Sequence, residues 1–152
     1  PDTAFEQMVE TKNIFHKTGN RQGYHVIISF SPEERVSAEQ VMYVLEHFAK
    51  DVLGDDYEAV FTVHTDREHM HGHLIWNSVS VTTGKKYNLP KGNWKNHLQP
   101  ITNKYCKELG LGIIPAEYSK NPKNISRDKW EKEMSIRMQI IMSVLMRRRY
   151  EW

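Results

Sequence analysis

Cysteine is almost absent from this chain: Cys106 stands alone among 152 residues. One thiol cannot close an internal disulfide, and such sparing cysteine use fits a reducing cytoplasm. Long apolar runs are missing as well. No stretch approaches the ~20 residues that cross a bilayer, and no secretory leader is visible, so membrane insertion is not expected. Charge of one sign is also scarce, with 21 Lys and Arg against 19 Asp and Glu and a formal net charge of +2. Any nucleic-acid footprint must therefore be local. Internal repeats and low-complexity tracts are lacking, and the length fits one domain with a helical appendage. The sequence begins at Pro1 rather than Met.

Histidine, by contrast, is abundant: there are eight, and His64, His69, His71 and His73 fall within ten positions. Their setting follows from periodicity. Phe5, Met8, Val9 and Phe15 predict an amphipathic helix over Asp2–His16. Tyr24–Phe30 is apolar on both faces and reads as a central strand. Ser37 and Gln40 form a capping-box signal before a stripe of Val41, Val44, Leu45, Phe48, Val52 and Leu53, which Gly54 ends. Tyr57–His64 and His71–Val81 predict two strands joined by a connector short enough for an antiparallel hairpin. A helix follows over Trp94–Leu109, with Pro100 arguing for a later start. After a linker around Pro122, Trp130, Met134, Met138, Ile141 and Leu145 predict a charged helix from Ser126 to the end. The expectation is an α+β fold: an antiparallel central sheet with helices packed on one face, plus a C-terminal helix. Residues 1–118 form the core and 119–152 the linker and terminal helix.

On a strand, alternate side chains share a face, so His71 and His73 point the same way, followed by Ile75 and Asn77. His64 ends the preceding strand of the same hairpin. Two imidazoles at i and i+2 with one from across the ladder make a three-histidine site that leaves metal positions open for substrate or water. His69 falls in the turn, outside this ligand set. Asp66 is placed to accept the second ring N–H of a ligand. Three neutral imidazoles suit Zn²⁺ and a hydrolase working through metal-activated water. Metallo-β-lactamase-type hydrolases, however, place their H-x-H before the Asp, the reverse of the order here. A phosphodiester-cleaving site with a side-chain nucleophile is the other chemistry open to this set.

The arrangement His64-x-Asp66 followed by His71-x-His73 resembles the HUH endonucleases, and within them the relaxases of the MobP branch, found on conjugative plasmids and integrative conjugative elements. His25-x-x-x-Ser29-Phe30-x-Pro32-x-Glu34 resembles that branch's strand and turn, and Tyr105–Leu111 its following helix. Together these cover roughly residues 1–115. The resemblance implies His64, His71 and His73 as ligands of Mg²⁺ or Mn²⁺, with Zn²⁺ or Ni²⁺ also accepted by imidazole. It gives Asp66 and His25 active-site roles.

It further implies a nickase acting on single-stranded DNA at a transfer origin through a covalent 5′-phosphotyrosyl link, with accessory relaxosome proteins and a coupling protein as partners. The family's tyrosine precedes the His25 strand by tens of residues, so the nucleophile is expected upstream of Pro1. Tyr150, beside three arginines, reads as surface. Asn77, on the strand face of His71 and His73, is a candidate phosphate or sugar contact. Local composition proposes further DNA contacts at Lys85, Lys86, Lys91 and Lys95, which would track phosphates, with bases stacking on an aromatic such as Trp94 or Tyr87. A hydrolase with no covalent intermediate and a non-catalytic single-stranded-DNA-binding module are the alternatives.

Overall fold

The computed structural model describes residues 3–65, 69–89 and 94–114, and the backbone of Ile136–Ile141. The elements run α1 (Ala4–Ile14), β1 (Gly23–Phe30), α2 (Ala38–Leu53), β2 (Ala59–His64) and β3 (His71–Asn77). A π-helical turn (Trp94–Leu98) then leads into α3 (Gln99–Glu108), and β4 (Ile136–Ile141) comes last. The four strands make one sheet in the order β2-β3-β1-β4, every neighbouring pair antiparallel. This is the expected α+β class.

Register follows from alternation. Tyr24, Val26, Ile28 and Phe30 of β1 join Leu74 and Trp76 of β3 on one face, buried against Val41, Val44, Leu45 and Phe48 of α2. Leu98, Tyr105 and Cys106 of the π-turn and α3 extend the same core. The opposite face carries His25 and Ile27 of β1, His71, His73 and Ile75 of β3, and Thr62 and His64 of β2.

The start of α2 is written locally. Ser37 Oγ accepts from the Gln40 N–H at 3.2 Å and Gln40 Oε1 accepts from the Ser37 N–H at 2.9 Å, closing the expected capping box. Gly72 decides how closely α2 can lie on the sheet. A Cβ there would stand 2.5 Å from Leu45 Cδ1 and 2.8 Å from Val41 Cγ1. The residue between the two β3 histidines is therefore small because a helix seats on it.

Pro100 enters at the first turn of α3, where its missing N–H costs no helical bond, and the chain before it takes a π-turn instead of a continuous α-helix. The early helix buries less than its sequence stripe suggests: Met8 is buried, but Phe5 is 68% exposed. It is tied to the sheet by polar contacts instead. Asn77 Nδ2 donates to the Met8 carbonyl at 3.0 Å and to Glu58 Oε2 at 2.6 Å, and Thr11 Oγ1 donates to Glu58 Oε1 at 3.1 Å.

The C-terminal helix expected from Ser126 is corrected over Ile136–Ile141, which form β4 against β1, with Ile27 opposite Gln139 and Ser29 opposite Arg137. Ile136, Met138 and Ile140 alternate with Arg137 and Gln139, so the stretch also carries a period of two. The open edge of β1 then selects the strand. The remainder of 119–152 lies outside the described residues. Among the described residues, no helix is long and apolar enough to cross a membrane.

Candidate metal centre

The β2–β3 register sets His64 directly opposite His71, and His73 stands opposite Thr62 one pair further along the same face. One ring nitrogen from each of His64, His71 and His73 lies within 4.8 Å of the others, a group that could hold a metal ion. Their rings lie close: His64 to His71 at 5.0 Å between centroids, His64 to His73 at 4.8 Å, and His71 to His73 at 5.4 Å. His64 is exposed and the other two are half-buried, so the group opens toward solvent.

Tautomers decide whether such a group fits a cation. A carbonyl can only accept, so the 3.2 Å contact between His71 Nδ1 and the His69 carbonyl puts a proton on Nδ1 and leaves Nε2 with its lone pair. His73 Nδ1 is engaged as well, 2.7 Å from His25 Nε2, which leaves Nε2 of His73 for a ligand. Burial, and then the neighbouring His25, His64 and His71, hold His73 below the usual histidine range; burial does the same for His25. Both shifts favour the neutral imidazole that a metal requires. The donor set therefore fits a divalent ion, with intermediate metals accepted better than Mg²⁺ by imidazole.

Other sequence-proposed residues are distributed unevenly. His25 joins the site on β1, stacked on His73 with ring centroids 4.9 Å apart. Asn77 shares the histidine strand face but is fully buried beneath α1, and its amide is spent on Met8 and Glu58, so it is corrected from DNA contact to structural tie. Lys86 is half-buried, and its ammonium donates to the carbonyls of Gly19 and Arg21 and clasps that loop. Trp94 is half-buried and packs against the hydrophobic core. Lys95, next to it, is half-buried on the π-turn, whereas Lys85 is exposed. Asp66 and Lys91 lie outside the described residues.

What the sequence reading missed is the pair of contacts behind the β3 rings. The His69 carbonyl is a backbone group that no residue pattern can announce. The His25–His73 contact needed the β1–β3 register, in which Ile27 faces His73 and His25 lies diagonal to it.

No described tyrosine stands beside the triad. Tyr24, Tyr57 and Tyr87 form an aromatic cluster with Trp76, and burial, then Tyr24 and Tyr57, push the Tyr87 hydroxyl up to about 12. Tyr43 and Tyr105 lie on α2 and α3, the latter donating to Asp51 at 2.7 Å. Tyr118 and Tyr150 are outside the described residues. Cys106 is no alternative nucleophile: it is fully buried, and burial, then Glu34, push its thiol up to about 12.

Comparison with known proteins decides the family. The model for "Relaxase: MobA/VirD2-like, nuclease domain" matches residues 1–111. The chain belongs to the relaxase family. Over 130 residues this relaxase domain is 31% identical to the group II intron-interrupted relaxase LtrB of Lactococcus lactis subsp. cremoris, covering 78% of the chain and 23% of the relative. It is 32% identical over 144 residues to a protein rlx of Staphylococcus aureus, covering 91% of the chain and 44% of the relative. A further Staphylococcus aureus protein rlx is 36% identical over 119 residues, covering 78% and 35%. The relaxase domain thus spans less than half the length of these curated relatives. No solved structure gives a significant match.

Proposed function

We propose that this relaxase domain nicks one strand of DNA at a transfer origin by metal-assisted transesterification, in the service of conjugative transfer. The observation that carries the reading is the convergence of His64, His71 and His73 on the sheet face opposite α2 and α3 in a chain of this family. These three residues would hold one divalent ion, Mg²⁺ or Mn²⁺ in the cell. A bound ion supplies positive charge to the non-bridging oxygens of a scissile phosphate.

Residues around the triad offer a surface for the strand. Ile75, 37% exposed, and exposed Thr62 line the floor beside the triad, giving a single strand both an apolar and a polar surface. Lys85 offers an exposed cation to the phosphate backbone, and Asp66 a carboxylate within the metal hairpin. The attacking group in this reading is a tyrosine, the nucleophile that the family resemblance implies. Its oxygen bonds to phosphorus as the 3′-oxygen leaves, giving a 5′-phosphotyrosyl link and a free 3′-OH. That bond exchange allows later rejoining of the strand. Accessory relaxosome proteins and a coupling protein in a bacterial cytoplasm complete the setting.

The test incubates the full-length protein with a labelled single-stranded transfer-origin oligonucleotide and Mn²⁺, then denatures it. A label shifted into a covalent protein–DNA adduct, and lost on His71→Ala, is expected. Cleavage without an adduct would point to a hydrolase, and binding without cleavage to a non-catalytic module; either overturns the proposal.

A further inference from the structure

We propose that His25 is a positioning residue: its Nε2 accepts the Nδ1–H of His73 and so turns the bare Nε2 of His73 toward His64 and His71. The inference rests on the reading of the triad as a metal site and adds a residue that touches no ion itself.

The geometry supplies the reason. His25 and His73 lie on adjacent strands, offset by one diagonal step, close enough for two rings to meet. They do so with ring planes 22° apart and with His25 Nε2 2.7 Å from His73 Nδ1. A contact of that length between two ring nitrogens holds one proton. If the proton sat on His25, Nδ1 of His73 would be the acceptor and its Nε2 would carry the remaining hydrogen, unable to bind a cation. With the proton on His73 Nδ1, the lone pair falls on Nε2.

The same rule holds at His71, where the acceptor is the His69 carbonyl. Each β3 histidine thus has its own acceptor behind it, one from the backbone of the turn and one from β1. Such outer partners fix ring orientation and raise ligand basicity, and losing one costs about 10–100-fold in metal affinity. His25 occupies the place in this design that the sequence pattern assigned to an aspartate.

The experiment compares the wild-type chain with His25→Phe, which keeps an aromatic ring but removes the acceptor, and His25→Gln, which keeps a side-chain carbonyl. Two readouts are taken: calorimetric Mn²⁺ titration, and ¹⁵N spectra of the His73 imidazole without metal. The expected result is an Nδ1–H tautomer at His73 in the wild type, lost in His25→Phe. A Mn²⁺ dissociation constant raised at least ~10-fold should accompany that loss, with recovery toward wild type in His25→Gln. Unchanged affinity and an unchanged His73 tautomer in His25→Phe would overturn the proposal. Equal loss in both variants would also overturn it, because His25 would then act through packing alone. If the wild type bound no Mn²⁺, the metal-site reading itself would fall and this inference with it. The metal-free tautomer would still report separately whether the His25–His73 bond exists.

Discussion

At His71 a single proton has a determined address. Its Nδ1 faces the carbonyl of His69, so the ring's lone pair is directed away from the turn and into the group formed with His64 and His73. The identity of these three residues was legible in the sequence, because an H-x-H pair on a strand and a histidine at the end of its hairpin partner must share a face. What holds them was not legible. The turn contributes a main-chain oxygen, which is independent of the side chain at 69. His69→Ala is therefore expected to leave Mn²⁺ affinity near the wild-type value in a calorimetric titration, despite removing one of four clustered histidines. A large loss would show that the His69 ring, excluded from the ligand set, takes part. Asn77 and Lys86 make the complementary point. Both residue types suit DNA contact, but one is buried under α1 and the other is occupied by two loop carbonyls. Burial and prior hydrogen bonding are tertiary facts that composition does not carry.

Helix α2 and strand β3 are coupled through Gly72. The glycine lies between the two β3 histidines on the opposite strand face, and α2 reaches the sheet there so closely that a methyl group has no room. Val41 is β-branched and stiff within a helix, so it yields little. Gly72→Ala is expected to destabilise the fold by about 1–3 kcal/mol, the usual cost of overpacking. Urea unfolding would measure it as a lower midpoint at constant slope. An unchanged midpoint would mean that α2 does not seat on the strand as described. The sequence made α2 itself plain through its apolar stripe and its Ser37–Gln40 capping box. It misjudged Ile136–Ile141, where periods of two and nearly four coexist and the available edge of β1 decides. Local pattern cannot separate a strand from a helix when the choice depends on a partner more than one hundred residues away in the chain.

At the scale of the whole molecule, one face of the sheet is covered by α2 and α3, and the other carries the histidines. Helices α2 and α3 bury the Val26, Ile28, Leu74 and Trp76 side, and among the described residues no helix covers the histidine side around the triad. Strand β4 closes the flank of β1, the strand that brings His25 to the site. Deleting residues 136–152 is expected to release that flank, speeding amide exchange along Gly23–Phe30 and promoting self-association through the bared edge. Hydrogen exchange and size-exclusion chromatography would record both. Exchange rates along β1 that stay at their full-length values would contradict the pairing. Family membership and the likeness to the relaxase LtrB of Lactococcus lactis and to proteins rlx of Staphylococcus aureus are in keeping with the proposal that this face holds a metal and takes a DNA strand.

The central claim is that three histidines of one hairpin form a single divalent-metal site. Calorimetric titration of the chain with Mn²⁺, beside His71→Ala and His73→Ala, tests it most directly. One ion per chain is expected for the wild type. Each replacement should lose more than the ~10–100-fold associated with outer-shell residues. Wild-type stoichiometry and affinity retained in both variants would contradict the account.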